Sequence, residues 1–158
     1  MVLKVVLDKN YTLNLDDDLN VDRAGINDAL ANQPSLFAWY ATLYEMARNN
    51  SLILDSQIKS YKAELDQYYR MEAVKENLKI TEGAINAKTD SNENLLKLID
   101  EYHASKRQEG MLYVAKAAFE QRKDMLISIA SNMRQEWDTE LKINKDKVRE
   151  ILRKGQPS

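Results

Sequence analysis

The chain has 158 residues, 44% of them hydrophobic and 30% charged, with no cysteine, one histidine, four glycines and two prolines. That is one domain's worth of helix-favouring composition, and it excludes thiol chemistry, disulfides and thiolate metal sites, while His103 alone leaves triads and histidine-rich metal sites without their residues. Basic and acidic side chains number 23 and 25, which excludes a uniformly positive coat; no long apolar run marks a membrane span, and residues 1–10 turn acidic too soon for a signal peptide, so a cytoplasmic protein without catalysis is expected.

Residues 2–7 and 11–15 are short β-branched or aromatic runs separated by Asp8-Lys9-Asn10, which permits a small hairpin. Two strands are marginal alone, so a hairpin here needs a helix or a neighbouring copy over its apolar face. Asp16-Asp17-Asp18 lacks the glycine and distal glutamate of a calcium loop and reads as an acidic capping stretch. A short helical segment follows Asp22. It is expected to stop at Asn32-Gln33-Pro34, because the residue before proline is pushed out of the α region.

A fresh helix is predicted from there, with Pro34 at its mouth and Ser35 as its cap. After Leu36, the positions Tyr40, Leu43, Ala47, Asn50, Leu54, Ile58, Tyr61, Leu65 and Tyr68 recur in steps of three and four. They form one stripe along about 50 Å of helix at 1.5 Å per residue. Asn49-Asn50-Ser51 leaves two options open, a break or a polar layer that sets register. Periodicity fades between Lys75 and Glu93, where residues 88–93 predict a turn and Ser91 or Asn92 can cap a second long helix.

That helix is predicted from about Glu93 to Glu140. It carries Leu95, Ile99 and Tyr102, then Leu112, Phe119, Leu126 and Met133 at strict sevens, with Ala115 and Ile129 beside them. Gly110 inside it costs roughly 1 kcal/mol relative to alanine and could mark a kink. From Leu141 the helix signal continues through Ile143, Val148, Ile151 and Leu152 until Gly155 and Pro157 end it. The organisation is thus an N-terminal segment 1–34, a long-helix core 35–140 and a basic C-terminal helix or tail 141–158.

The fold class expected is mainly α: long amphipathic helices in an oligomeric bundle or ring, with the short N-terminal β-hairpin as an option. Stripes this long leave apolar surface wet in a chain of 18.3 kDa, so self-association is expected. Leu112, Phe119, Leu126 and Met133 are the candidate seam between copies. Residues 1–34 carry three basic against six acidic side chains, and residues 141–158 six against two. Such polarity suits head-to-tail attraction, a basic arm on phosphates, or simply solvated faces of different sign.

Chemistry-bearing patterns are few. Asp100 and His103 give one D-x-x-H spacing, but a di-iron bundle needs a second histidine. No glycine-rich phosphate loop occurs, so nucleotide hydrolysis and dinucleotide binding have no cradle. No cofactor or metal is expected. Nucleic acid has the stronger case, since single strands are held by cations along the backbone and aromatic rings under the bases. Residues 59–70 interleave those types. Lys59, Lys62 and Tyr69 share one face of a helix, with Arg70 near it, whereas Tyr61 and Tyr68 fall on the apolar stripe.

The order of these features resembles the phage UvsY-type recombination mediators. The resemblance rests on Asp18-Leu19-Asn20-Val21-Asp22, Ala31-Asn32-Gln33-Pro34, Leu36-Phe37-Ala38-Trp39-Tyr40 and Lys62-Ala63-Glu64-Leu65-Asp66-Gln67-Tyr68-Tyr69. It continues through Leu78-Lys79, Asn86-Ala87-Lys88, Arg122 to Leu126 and Met133-Arg134-Gln135-Glu136, covering about 16–136. It implies a non-catalytic helical ring of six or seven copies that binds single-stranded DNA, helps displace the single-strand-binding protein and loads a RecA-like recombinase. In that family a lysine and an arginine two residues apart contact DNA. Lys62 matches the lysine, whereas Glu64 stands at the arginine's place; Lys59 or Arg70 is the nearest substitute. The rival expectation is a phage structural or scaffolding coiled-coil protein that binds no DNA.

Overall fold

The structure is a computed structural model that describes residues 1–154, with the side chains of 151–154 left aside. The expected stop at Gly155 and Pro157 lies outside the described residues, as do the side chains of Ile151 and Leu152. Strands β1 (Val2–Val6) and β2 (Asn10–Asn14) pair antiparallel, with Leu3 opposite Leu13 and Val5 opposite Tyr11. Alternation does the rest: Leu3, Val5 and Leu13 point into the core while Val2 and Val6 stay exposed. Tyr11 closes the turn by donating its hydroxyl to Asp8 Oδ1 at 2.8 Å.

Helix α1 (Leu15–Leu19) has three aspartates in its first turn, where the helix dipole favours negative charge. Its C-terminal end meets Arg122, whose Nε donates to the Leu19 carbonyl and Nη2 to the Asn20 carbonyl, each at 3.3 Å. Arg122 Nη1 also donates to Gln33 Oε1. This guanidinium is buried, and burial lowers its pKa from the ordinary arginine value. It clamps the N-terminal unit onto the long helices.

Helix α2 runs unbroken from Ile26 to Lys75, which corrects two expectations. The helix does not stop at Asn32-Gln33-Pro34, and Ser35 is a helix residue rather than a cap. Pro34 removes one backbone donor, a cost of order 3 kcal/mol in a helix interior. Tertiary contacts there offset it: Gln33 is buried, and its Nε2 donates to the Phe119 carbonyl at 2.6 Å. Asn49-Asn50-Ser51 likewise does not break the helix. Ser51 is buried and faces Ser105, Oγ to Oγ, at 3.0 Å.

The C-terminus of α2 is closed by Asn77, in the left-handed region at φ 52°, with Leu78 N–H donating to the Ala73 carbonyl and Asn77 N–H to that of Val74. Helix α3 (Glu82–Asp90) starts at a Thr81 cap and ends shortly before α4 (Glu93–Lys154). Asn92 caps α4, its Oδ1 accepting from the N–H groups of Asn94 and Leu95. Gly110 does not break α4, and a side chain there would meet nothing within 4 Å.

Helices α2 and α4 lie antiparallel, since Gln33 meets Phe119 and Arg122, Tyr40 meets Phe119 and Ser51 meets Ser105. At the hairpin end the core comprises Leu3, Val5, Leu13, Leu15, Tyr40, Leu43, Ala47, Leu112, Ala115 and Phe119. Each large side chain fully buried there contributes roughly 1.5–3 kcal/mol. Tyr40 and Phe119 stack at 4.4 Å, and the Tyr40 hydroxyl donates to Asp18 Oδ2 at 2.7 Å. At the far end Leu65, Ala73, Ile85 and Leu95 are buried, drawn from three helices. No helix among the described residues is long and apolar enough to cross a membrane.

Candidate nucleic-acid interface

Lys59, Lys62, Tyr69 and Arg70 all lie in the last third of α2, within one arc of its surface. Three of the four meet α3 or its flank. Lys62 Nζ donates to Asp90 Oδ1 at 3.1 Å. Arg70 spans two carboxylates, bonding Asp66 through Nε at 2.8 Å and Glu82 through Nη2 at 2.5 Å. Tyr69 is half-buried, with Lys88 Nζ 5.5 Å from its ring centroid and Asn92 Nδ2 within 3.5 Å of its hydroxyl. Lys59 is held on its own helix, donating to Asp55 Oδ2 at 2.6 Å.

The titration shifts follow from these contacts. Hydrogen bonding to Asp55 raises Lys59, that to Asp66 and Glu82 raises Arg70, and the Arg70 contact holds the Asp66 carboxyl below its ordinary range. Each candidate cation therefore already has an anion from its own chain. Such exposed pairs are screened by solvent and contribute little, so a phosphate can take a carboxylate's place, most readily at low salt. Glu64 is exposed, and its nearest polar partner is Ser60 Oγ at 3.4 Å. Position 64 thus faces solvent.

Two tyrosines expected on the apolar stripe part company. Tyr61 is half-buried, but Tyr68 is 57% exposed, edge-on to Tyr69 at 5.4 Å. Lys88, a ring-stacked cation on the same face, escaped the sequence argument because α3 brings it there from outside the 59–70 run. His103 and Asp100 are exposed, and among the described residues no three His, Asp or Glu side chains gather as a metal ion would need.

The residues expected to form a seam between copies are placed within the chain. Leu112, Phe119 and Leu126 are fully buried inside one chain, and Met133 is half-buried. They pack this chain's own fold, which a heptad pattern alone cannot tell from contact between copies. The same stripe continues past them. Trp137, Leu141 and Val148 follow Met133 at four, four and seven residues, and they are 68%, 56% and 55% exposed. From residue 134 to 150 every residue of α4 is exposed, with an Arg23–Glu136 ion pair at 2.9 Å near the point where the helix leaves the body.

The sequence matches no protein-family model and no curated protein. Among solved structures, the chain is similar in fold to the crystal structure of the bacteriophage T4 recombination mediator protein UvsY, with a TM-score of 0.64 at 15% sequence identity. The match covers 77% of this chain and 92% of that one.

Proposed function

We propose that this protein is a recombination mediator of phage type. In this role it self-associates through the exposed C-terminal stripe of α4, binds single-stranded DNA, and helps a RecA-like recombinase replace the single-strand-binding protein. Fold likeness to a recombination mediator over most of both chains is the observation that carries it. The order of sequence features, read independently of the fold, supports the same assignment. It involves no catalysis and no cofactor, and it would operate in the host cytoplasm.

Self-association accounts for two features together. An apolar stripe that is buried up to Leu126 and then runs into solvent through Trp137, Leu141 and Val148 is covered when several copies of α4 align. Gathering copies also repeats each small cationic patch around one assembly. Six or seven weak sites on one strand then bind by avidity where a near-neutral single chain would not.

The paired state of Lys59, Lys62 and Arg70 favours a second reading, a coiled-coil scaffold that binds no DNA. Fluorescence anisotropy with a labelled single-stranded oligonucleotide separates the two. The mediator predicts binding that weakens steeply with salt, and weakens further in a Lys59/Lys62/Arg70 triple alanine variant. No binding by the wild type at low salt would leave the scaffold.

A further inference from the structure

A second group of rings and cations lies along the α2–α4 seam, nearer the hairpin end. Lys116 Nζ stands 5.4 Å from the ring centroid of Tyr44 and 6.0 Å from that of Phe37, and the rings of Tyr44 and Tyr113 are 5.7 Å apart. Lys116 forms no ion pair with any described residue. Arg48 and Lys123 flank it, at 3.6 Å from Glu45 and 4.0 Å from Asp124, and Arg48 also lies near enough to Glu109 to favour that carboxylate's charged form. Cations at the 59–70 face are instead gripped at 2.5–3.1 Å.

We infer that single-stranded nucleic acid runs along this seam, its phosphates on Lys116, Arg48 and Lys123 and a base on the ring of Tyr113. The inference rests on the DNA-binding role proposed above and adds a second contact surface to the 59–70 face. Periodicity aligns the groups. Phe37, Tyr44 and Arg48 recur at seven and four residues on α2, and Tyr113, Lys116 and Lys123 at three and seven on α4. Together they line about 20 Å of seam, room for a few nucleotides of an extended single strand.

One observation favours a nucleic acid over an acidic peptide, and a second makes room for its phosphate. Tyr113 is 58% exposed, an open ring that serves a base but contributes nothing to a carboxylate. Lys116 rests on rings rather than on a carboxylate, so it has no ion pair to surrender when a phosphate arrives. Glu120 lies one turn from both Lys116 and Lys123, is exposed and forms no ion pair among the described residues. It repels phosphate and sets a test that misfolding cannot imitate.

The experiment titrates the full chain into a labelled oligothymidylate at several salt concentrations. The variants are Tyr113→Ala, Lys116→Gln, Lys116→Arg, Glu120→Gln and Lys62→Gln/Arg70→Gln, each checked for native helix content. Tyr113→Ala is expected to weaken binding about 5- to 150-fold with an unchanged salt slope. Lys116→Gln is expected to lower the slope by about 0.7, Lys116→Arg to restore it, and Glu120→Gln to tighten binding. If the wild type binds but only the Lys62/Arg70 variant loses affinity, the seam is wrong and DNA binding stands. If no variant differs from wild type, the seam is equally wrong. A wild type that ignores DNA at low salt overturns both, and one that binds polyglutamate in preference to DNA makes the seam a peptide site.

Discussion

Replacing Arg122 tests whether one buried cation holds the N-terminal unit to the long helices. The side chain is 6% exposed and donates to the Leu19 and Asn20 carbonyls and to Gln33 Oε1. Hydrogen bonds from a charged donor contribute about 1.5–3 kcal/mol each, but the two carbonyl contacts are long at 3.3 Å and sit at the weak end. Releasing a guanidinium from a buried site recovers part of its desolvation cost, while stranding Gln33 Oε1 adds a penalty. Arg122→Ala is therefore expected to destabilise by about 2–4 kcal/mol. Arg122→Met, which keeps most of the aliphatic packing, should lose less. Urea unfolding followed by circular dichroism at fixed protein concentration gives the total, and Trp39 fluorescence reports the hairpin, because that ring packs edge-on against Tyr11 at 5.8 Å. In a Gln33→Leu background the Arg122 substitution should cost about 1–2 kcal/mol less, the coupling between the two. An Arg122→Met protein within about 0.5 kcal/mol of wild type, with Trp39 unchanged, would refute the clamp.

Phe119→Ala removes a fully buried ring stacked on Tyr40 and should cost about 3–5 kcal/mol by the same unfolding assay; a loss under about 1 kcal/mol would place that ring outside the core. Burial first, and then the hydrogen bond to Asp18, raise the Tyr40 hydroxyl pKa, so its neutral form is favoured in the fold. That contribution is complete below about pH 10, the unfolded tyrosine value, and is lost as pH rises beyond it. Thermal melts between about pH 9 and 12 should show wild-type stability falling more steeply than that of Tyr40→Phe, by at most about 1.4 kcal/mol per pH unit, and parallel curves would contradict this. Single-strand binding by the wild type should fall steeply as salt rises, and affinity indifferent to salt would reject phosphate contact.

Much of the architecture was legible in the residues. Period-three-and-four stripes marked both long helices, β-branched and aromatic runs on either side of Asp8-Lys9-Asn10 permitted the hairpin, and Ser91 or Asn92 marked the start of α4. The features that stayed hidden depend on partners far along the chain. Pro34 reads as a stop until Gln33 is seen bonded to Phe119 and Arg122, which lie 86 and 89 residues away. Heptads at Leu112, Phe119 and Leu126 read as contacts between copies because local periodicity says only that a face is buried, not which chain buries it. Lys62 and Arg70 were found as cations, but Asp90 and Glu82, which occupy them, arrive on α3. Lys116 was missed because its rings come from another helix.

Assembly is the premise shared by the ring, the avidity and the covered stripe. Sedimentation velocity at micromolar concentration should find the wild type at several times the 18.3 kDa chain mass, and a Trp137→Ser/Leu141→Ser/Val148→Ser variant at or near that mass with its folded body intact. A wild type that sediments as a single folded chain would contradict the proposal.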